Sequence, residues 1–155
     1  MGKVYKGELV VRDKKFAICI ARFNSLLTER LLEGAKDCLI RHGSTIESID
    51  EFWVPGSFEL PYIASKIVEQ KKYDAVICVG AVIRGDTPHF EYIAAEVTKG
   101  IASISLQSGV PVIYGVITCD NIEQGIERAG TKAGNKGWDA AMTAIEMVNL
   151  YRSIS

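Results

Sequence analysis

The chain has 155 residues, 48% of them hydrophobic, which suits one compact domain able to bury a core. Its 18 Lys and Arg against 19 Asp and Glu leave a formal net charge of -1, so there is no overall electrostatic pull toward nucleic acid or an anionic membrane. No apolar run approaches the length of a membrane span, and the opening MGKVYKGELVV has no signal-peptide core and no myristoylation pattern, so a cytoplasmic protein is expected.

Residues 1–12 read as an extended N-terminal arm on a single domain spanning 1–155. The segment KVYKGELVV (3–11) alternates like a strand but has no obvious partner in its own sheet. FAICIA (16–21) is a continuous apolar run, as expected of a strand covered on both faces. Asn24 and Ser25 offer N-caps for a helix through LLTERLLEGAKDCLIRH, which Gly43 stops. TIESIDEFWV (45–54) alternates as a strand, and Pro55-Gly56-Ser57 turns the chain into a helix with Pro61 in its first turn. YDAVICVGAVI (73–83) is the most apolar strand. After the segment 84–89 comes the helix EYIAAEVTKGIASISLQ, ended at Gly109, then the strand PVIYGVIT (111–118). NIEQGIERA forms a short helix, and the glycine-rich link GTKAGNKG leads to a final helix, WDAAMTAIEMVNLYRSI.

Strands that alternate with helices predict an α/β domain with a mostly parallel sheet of four strands flanked by helices. In such sheets ligands bind beyond the carboxyl ends of the strands. The segments placed there are Arg22-Phe23-Asn24, Pro55-Gly56-Ser57, Arg84 to His89, and Thr118 to Asn121. Cys19, Cys38, Cys78 and Cys119 have no C-x-x-C spacing and read as small buried hydrophobes. With only two histidines, no metal-site spacing arises.

RGDTPH (84–89) is the richest of these loops. Proline is favoured at the first helical position, which makes Thr87 the N-cap, Pro88 the first helical residue and His89 the second. The positive end of the helix dipole disfavours a further positive charge there and attracts an anion, so a neutral imidazole beside a phosphate-accepting turn is expected. Gly85 allows a close main-chain approach. A capped helix start with a solvated histidine fits the local residues equally well. RGD as an adhesion tripeptide needs an extracellular setting, and the P-loop spacing of glycines here lacks its Lys-Ser/Thr. By position alone Phe23 fits a core aromatic or a stacking face, and Glu59 fits a first-turn carboxylate. Arg128, Lys132 and Lys136 form a sparse basic run that fits either a solvated face or a loop folded over a phosphate.

Taken together, ARFN (21–24), VPGSFELP (54–61), GAVIRGDTPHFEYIAAEVTKGI (80–101), PVIYGVIT (111–118) and IERAGTKAGNKGWDAA (126–141) resemble, in order and spacing, the lumazine synthase family of riboflavin biosynthesis. The resemblance covers nearly the whole chain. It implies a flavodoxin-like three-layer sandwich and a cofactor-free condensation of 5-amino-6-(D-ribitylamino)uracil with 3,4-dihydroxy-2-butanone 4-phosphate. His89 matches the proton-transfer histidine. Phe23, Asn24, Gly56, Ser57, Phe58 and Glu59 match the pyrimidine and ribityl positions, and Ala81, Val82 and Ile83 line the pyrimidine pocket largely through main-chain groups. Gly85, Asp86 and Thr87 match the phosphate turn. Tyr114, Arg128 and Lys136 match residues that a neighbouring subunit contributes, with Arg128 on the phosphate.

The resemblance also implies a homo-oligomer built of pentamers, with riboflavin synthase as a functional partner. The short link AGTKAGNKG lacks the insertion of purely pentameric members, so an icosahedral shell is expected. Two positions depart from the family pattern. Tyr114 stands where phenylalanine is common, and Asp139 where glutamate is usual. The competing readings are a flavodoxin-like module that holds a flavin or nucleotide without catalysis, and a shell protein whose assembly is its function. A response-regulator domain is excluded, because no acidic pair follows the first strand.

Overall fold

The structure, a computed structural model, describes residues 2–130 and 134–155. Among them four strands and five α-helices alternate: β1 (Phe16–Ala21), α1 (Ser25–Arg41), β2 (Ile49–Val54), α2 (Leu60–Glu69), β3 (Ala75–Ile83), α3 (His89–Ser108), β4 (Val112–Cys119), α4 (Ile122–Arg128) and α5 (Lys136–Ile154). The strands form one sheet of order β2-β1-β3-β4, with every neighbouring pair parallel. β1 is buried along its whole length, as its unbroken apolar run requires of a central strand covered on both faces.

Alternate β1 side chains feed two separate cores. Phe16, Ile18 and Ile20 pack with Leu27 and Leu31 of α1 and Ile145 of α5, whereas Ala17, Cys19 and Ala21 pack with Leu60 of α2 and Val97 and Ile101 of α3. The result is a three-layer α/β sandwich, as expected. On the first face α1 and α5 approach so closely that a Cβ at Gly137 would lie 1.9 Å from the Leu31 carbonyl oxygen. All four cysteines are buried. Among the described residues, no helix is long and apolar enough to cross a membrane.

The structure departs from the sequence expectations at several element ends. The first part of TIESIDEFWV is a short 3-10 turn, Ile46–Ser48, and only Ile49–Val54 joins the sheet. The charge-rich TIES segment alternates, but it precedes the register in which Phe16 lies opposite Ile49. Among the described residues, the arm forms no strand. It lies along α5, where Asn149 Nδ2 donates to the carbonyls of Glu8 (2.6 Å) and Val10 (2.9 Å), and Val11 is buried. Val4, Tyr5, Leu9 and Val10 remain exposed.

Candidate active site

The strand order fixes where a ligand can sit. The chain leaves β1 toward β2 on one side and later places β3 on the other, so the crevice where the order reverses opens at the carboxyl ends of β1 and β3. β3 is three residues longer than β1. Val79 is the last β3 residue opposite β1, at Ile20, whereas Ala81, Val82 and Ile83 pair only with Ile117, Thr118 and Cys119 of β4. Main-chain groups on the β1 side of this overhang have no ladder partner, and such groups demand one. Asn24 supplies one of them, its Nδ2 donating to the Ala81 carbonyl (3.2 Å). By strand alternation the next main-chain pair on that side belongs to Ile83.

Asn24 is the N-cap of α1, as expected, its carbonyl accepting from Leu27 N–H (2.9 Å) and Thr28 N–H (3.0 Å), but its side chain has another use. Its backbone is left-handed (φ 65°), so its side chain does not cap α1 and is free to reach β3. The β1–β2 ladder continues past the strands: Arg22 N–H donates to the Val54 carbonyl (2.8 Å) and Phe23 N–H to the Pro55 carbonyl (2.9 Å). Phe23 is thereby held beside the 55–59 turn with 71% of its surface exposed, which rules out the core-aromatic reading.

A cavity of about 510 Å³ fills the crevice. Phe23, Phe58, Phe90 and Ile93 give it apolar walls, and Asn24, Ser57, Glu59 and His89 supply polar atoms. Gly56, Ala81, Val82, Ile83, Gly85 and Thr87 complete its lining. Ser57 Oγ is buried without a hydrogen-bond partner among the described residues, an orphan hydroxyl beside the crevice. A Cβ at Gly80 would come within 2.5 Å of that oxygen, so glycine at 80 is what lets Ser57 pack there.

His89 begins α3, one position earlier in the helix than expected. Pro88 (φ -73°, ψ 2°) is the N-cap, its carbonyl accepting from Glu91 N–H (3.1 Å), and Thr87 makes no capping hydrogen bond. A proline fits here because the cap position needs no donor of its own. Asp86 lies in the same turn but does not line the cavity.

Tyr114, Arg128 and Lys136 lie elsewhere. They line a second cavity, of about 430 Å³, at the outer edge of β4, and the two cavities share no residue. Arg128 Nη1 donates to the Thr118 carbonyl (2.5 Å). Its guanidinium also sits 3.9 Å from Cys119 Sγ, whose thiol burial nonetheless pushes up from its ordinary value. Asp139 contacts Lys136 at 3.8 Å across an exposed pair, and the Tyr114 hydroxyl accepts from Thr98 Oγ1 (3.0 Å), which ties β4 to α3. Lys132, the middle cation of the basic run, lies outside the described residues.

Sequence patterning does not single out three residues beside the first cavity. Phe90 and Ile93 are lining residues on the first turns of α3, one helical turn apart and facing back toward β3. Arg84 borders the same loop and pairs with Asp120 (3.0 Å) and Glu91 (3.5 Å). The signal for the two apolar residues is their i, i+3 spacing after the Pro-His start. Nothing local marks Arg84, since its aspartate partner lies 36 residues away.

Comparison with known proteins gives a consistent result. Residues 13–152 match the family described as 6,7-dimethyl-8-ribityllumazine synthase. Proteins of that name from two strains of Clostridium kluyveri are each 59% identical to the chain over 152 residues, covering 98% of this chain and 99% of theirs. The chain belongs to the 6,7-dimethyl-8-ribityllumazine synthase family.

Proposed function

We propose that the chain condenses 5-amino-6-(D-ribitylamino)uracil with 3,4-dihydroxy-2-butanone 4-phosphate to 6,7-dimethyl-8-ribityllumazine, releasing phosphate and water, the penultimate step of riboflavin biosynthesis. One observation carries this reading. The end of β3 overhangs β1, leaving main-chain groups there without a ladder partner, and it lines the same cavity as the exposed Phe23 and His89. A flat ring bearing both donors and acceptors at its edge suits that arrangement. Its face stacks on Phe23 and its edge meets the β3 main chain near Ile83.

The remaining roles follow from the chemistry. An aromatic amine attacks a ketone, so two protons leave nitrogen and two reach the oxygen that departs as water. The His89 imidazole accepts and returns these protons. Glu59, Ser57 and Asn24 hold the ribityl hydroxyls and ring edge, with Phe58 and Gly56 shaping the wall. Phosphate leaves by elimination, and the turn Gly85-Asp86-Thr87, together with a cation, stabilises the departing charge. Holding both substrates in register supplies the larger part of the acceleration, because the reaction is bimolecular.

That cation is Arg128 of a neighbouring copy. Arg128, Tyr114 and Lys136 line a cavity at the open edge of β4 that has no residue in common with the first. This fits a site completed when the β4 edge of one copy meets the crevice mouth of the next. A heterologous contact of this kind closes into a ring when its rotation permits. We assign a pentamer, closing further into an icosahedral shell, with the exposed arm residues Val4, Tyr5, Leu9 and Val10 packing on another copy. The four buried, unpaired cysteines fit a reducing cytoplasmic setting, and riboflavin synthase is the functional partner that consumes the product.

Incubation with both substrates should yield the lumazine chromophore and free phosphate together. A protein that only binds flavins or nucleotides yields neither. Size-exclusion chromatography with light scattering tests the assembly: an active monomer would rule out the shared site, and a lone pentamer would rule out the shell.

A further inference from the structure

The segment between β3 and α3 has little holding it. Residues 85–87 make no hydrogen bond among the described residues, and the space a Cβ would take at Gly85 has no atom within 4 Å. Yet this segment leads directly into His89 and Phe90, whose positions decide the geometry of the cavity. Arg84, at its start, is attached on several sides. Its N–H donates to the Cys119 carbonyl (2.8 Å), its Nε to Asp120 Oδ1 (3.0 Å), and its Nη1 lies 3.5 Å from Glu91 Oε1. The guanidinium carbon stands 4.6 Å from the Phe90 ring centroid. Asp120 is itself fastened, its N–H donating to Gln124 Oε1 of α4 (2.8 Å).

We propose that Arg84 is a positioning residue, a clamp that fixes the first turn of α3, and so His89 and Phe90, against the end of β4. The proposal rests on the reading of His89 as the proton-transfer group. Arg84 is half-exposed, and exposed ion pairs contribute little stability one by one. Its planar fork has a different use. It meets carboxylates on two elements while its face rests on an aromatic ring of the helix it holds, so it restricts orientation more than it adds stability. A displacement of His89 well under the length of a bond to the substrate is enough to slow proton transfer. A lysine retains the charge and one carboxylate at a time, without the fork or the stacked face.

The test uses the full chain in its native assembly. Arg84→Ala should lower kcat on the order of 10-fold, with KM for either substrate little changed and the thermal midpoint unmoved. Amide hydrogen exchange at Glu91 and Tyr92, whose N–H groups bond to the Pro88 carbonyl, should quicken in the same variant. Arg84→Lys should recover part of both losses, and it decides the matter by the same two readouts if the alanine variant does not fold. An unchanged kcat with unchanged exchange overturns the clamp. A rise in KM for the phosphate substrate with exchange unchanged also overturns it, because Arg84 would then be touching substrate. If wild-type protein forms no chromophore, the proposed reaction fails, whereas the exchange measurement still tests the clamp.

Discussion

The two cavities differ in what builds them. The crevice at the carboxyl ends of β1 and β3 is made by the fold itself: a strand overhang, a left-handed Asn24, and aromatic walls from two separate loops and α3. The cavity on the β4 edge is floored by Tyr114 to Thr118 of β4 and rimmed by charged side chains of α4 and α5, Arg128, Lys136 and Asp139. The function proposed above puts the flat pyrimidine ring in the first and draws a phosphate contact from the second. Damage to the two should therefore show up on different substrates and in different kinetic constants.

Removing the chemistry should have the largest effect. His89→Ala should reduce kcat by roughly 10²- to 10⁴-fold, the usual worth of a positioned acid–base group, with substrate binding nearly unchanged. Because proton transfer is asked only of the transition state, a variant that loses affinity and keeps kcat would remove His89 from the mechanism. Next in size is the cation proposed for the phosphate. Arg128→Ala should raise KM for the butanone phosphate about 10- to 100-fold, as expected of a charge-assisted contact, and spare binding of the pyrimidine. Equal losses for both substrates would make Arg128 a structural residue that merely closes the end of β4 through Thr118.

The contrast between the cavities also accounts for what the sequence discloses. β1 and β3 are legible because a strand buried on both faces must be apolar without interruption, and that pattern needs no knowledge of partners. Gly109 is legible as a helix stop because its left-handed conformation (φ 75°) favours glycine. Asn24 stands where the sequence suggests a functional loop and sits at the N-cap of α1, but its side chain bonds to β3 instead of the helix. Its contact with Ala81 spans 57 residues, and a local capping rule cannot anticipate that. Arg84 falls in a loop the sequence places at the binding end, but its pairing with Asp120, 36 residues away, escapes local reading for the same reason. The start of α3 falls one residue later than expected, with Pro88 in place of Thr87 at the N-cap, the ordinary margin at a helix start. That Arg128 and Lys136 lie apart from His89 follows from the family resemblance. Nothing in the residues alone places them on a different edge of the sheet.

Stacking gives a smaller effect with the opposite selectivity. Phe23→Ala should weaken the ribitylaminouracil roughly 10-fold, through lost stacking and buried area, and leave the phosphate substrate's KM nearly unaltered. Isothermal titration with the pyrimidine alone isolates this contribution, since it needs no turnover. Phe23 is largely exposed in the single chain, so its replacement should leave the thermal midpoint in place. If the midpoint falls and pyrimidine affinity does not, Phe23 serves packing between copies.

The smallest effect concerns a region that touches neither cavity, and it sets the background against which the others are read. On β2 the Asp50 carboxyl accepts from the Tyr73 hydroxyl, which holds it below the usual carboxylate range with help from Lys72, and the Lys36 ammonium at 2.6 Å does the same for Glu51. Both groups bind protons less readily folded than unfolded. Their stabilisation is therefore present above the unfolded carboxylate range, near pH 4, and is lost as pH falls through the lower folded values. Tyr73 acts at the other end. Burial, reinforced by Asp50, raises it to about 12, so the neutral phenol's contribution is complete below about pH 10 and is lost as pH rises through 12. Asp50 and Glu51 are about a third exposed, so solvent screening holds each acid contribution to roughly 1 kcal/mol or less. Asp50→Asn should flatten the decline of the unfolding midpoint between about pH 5 and 3 and leave kcat untouched at pH 7. A change in kcat would mean that β2 transmits strain to the 55–59 turn, and the separation between fold and site would not hold.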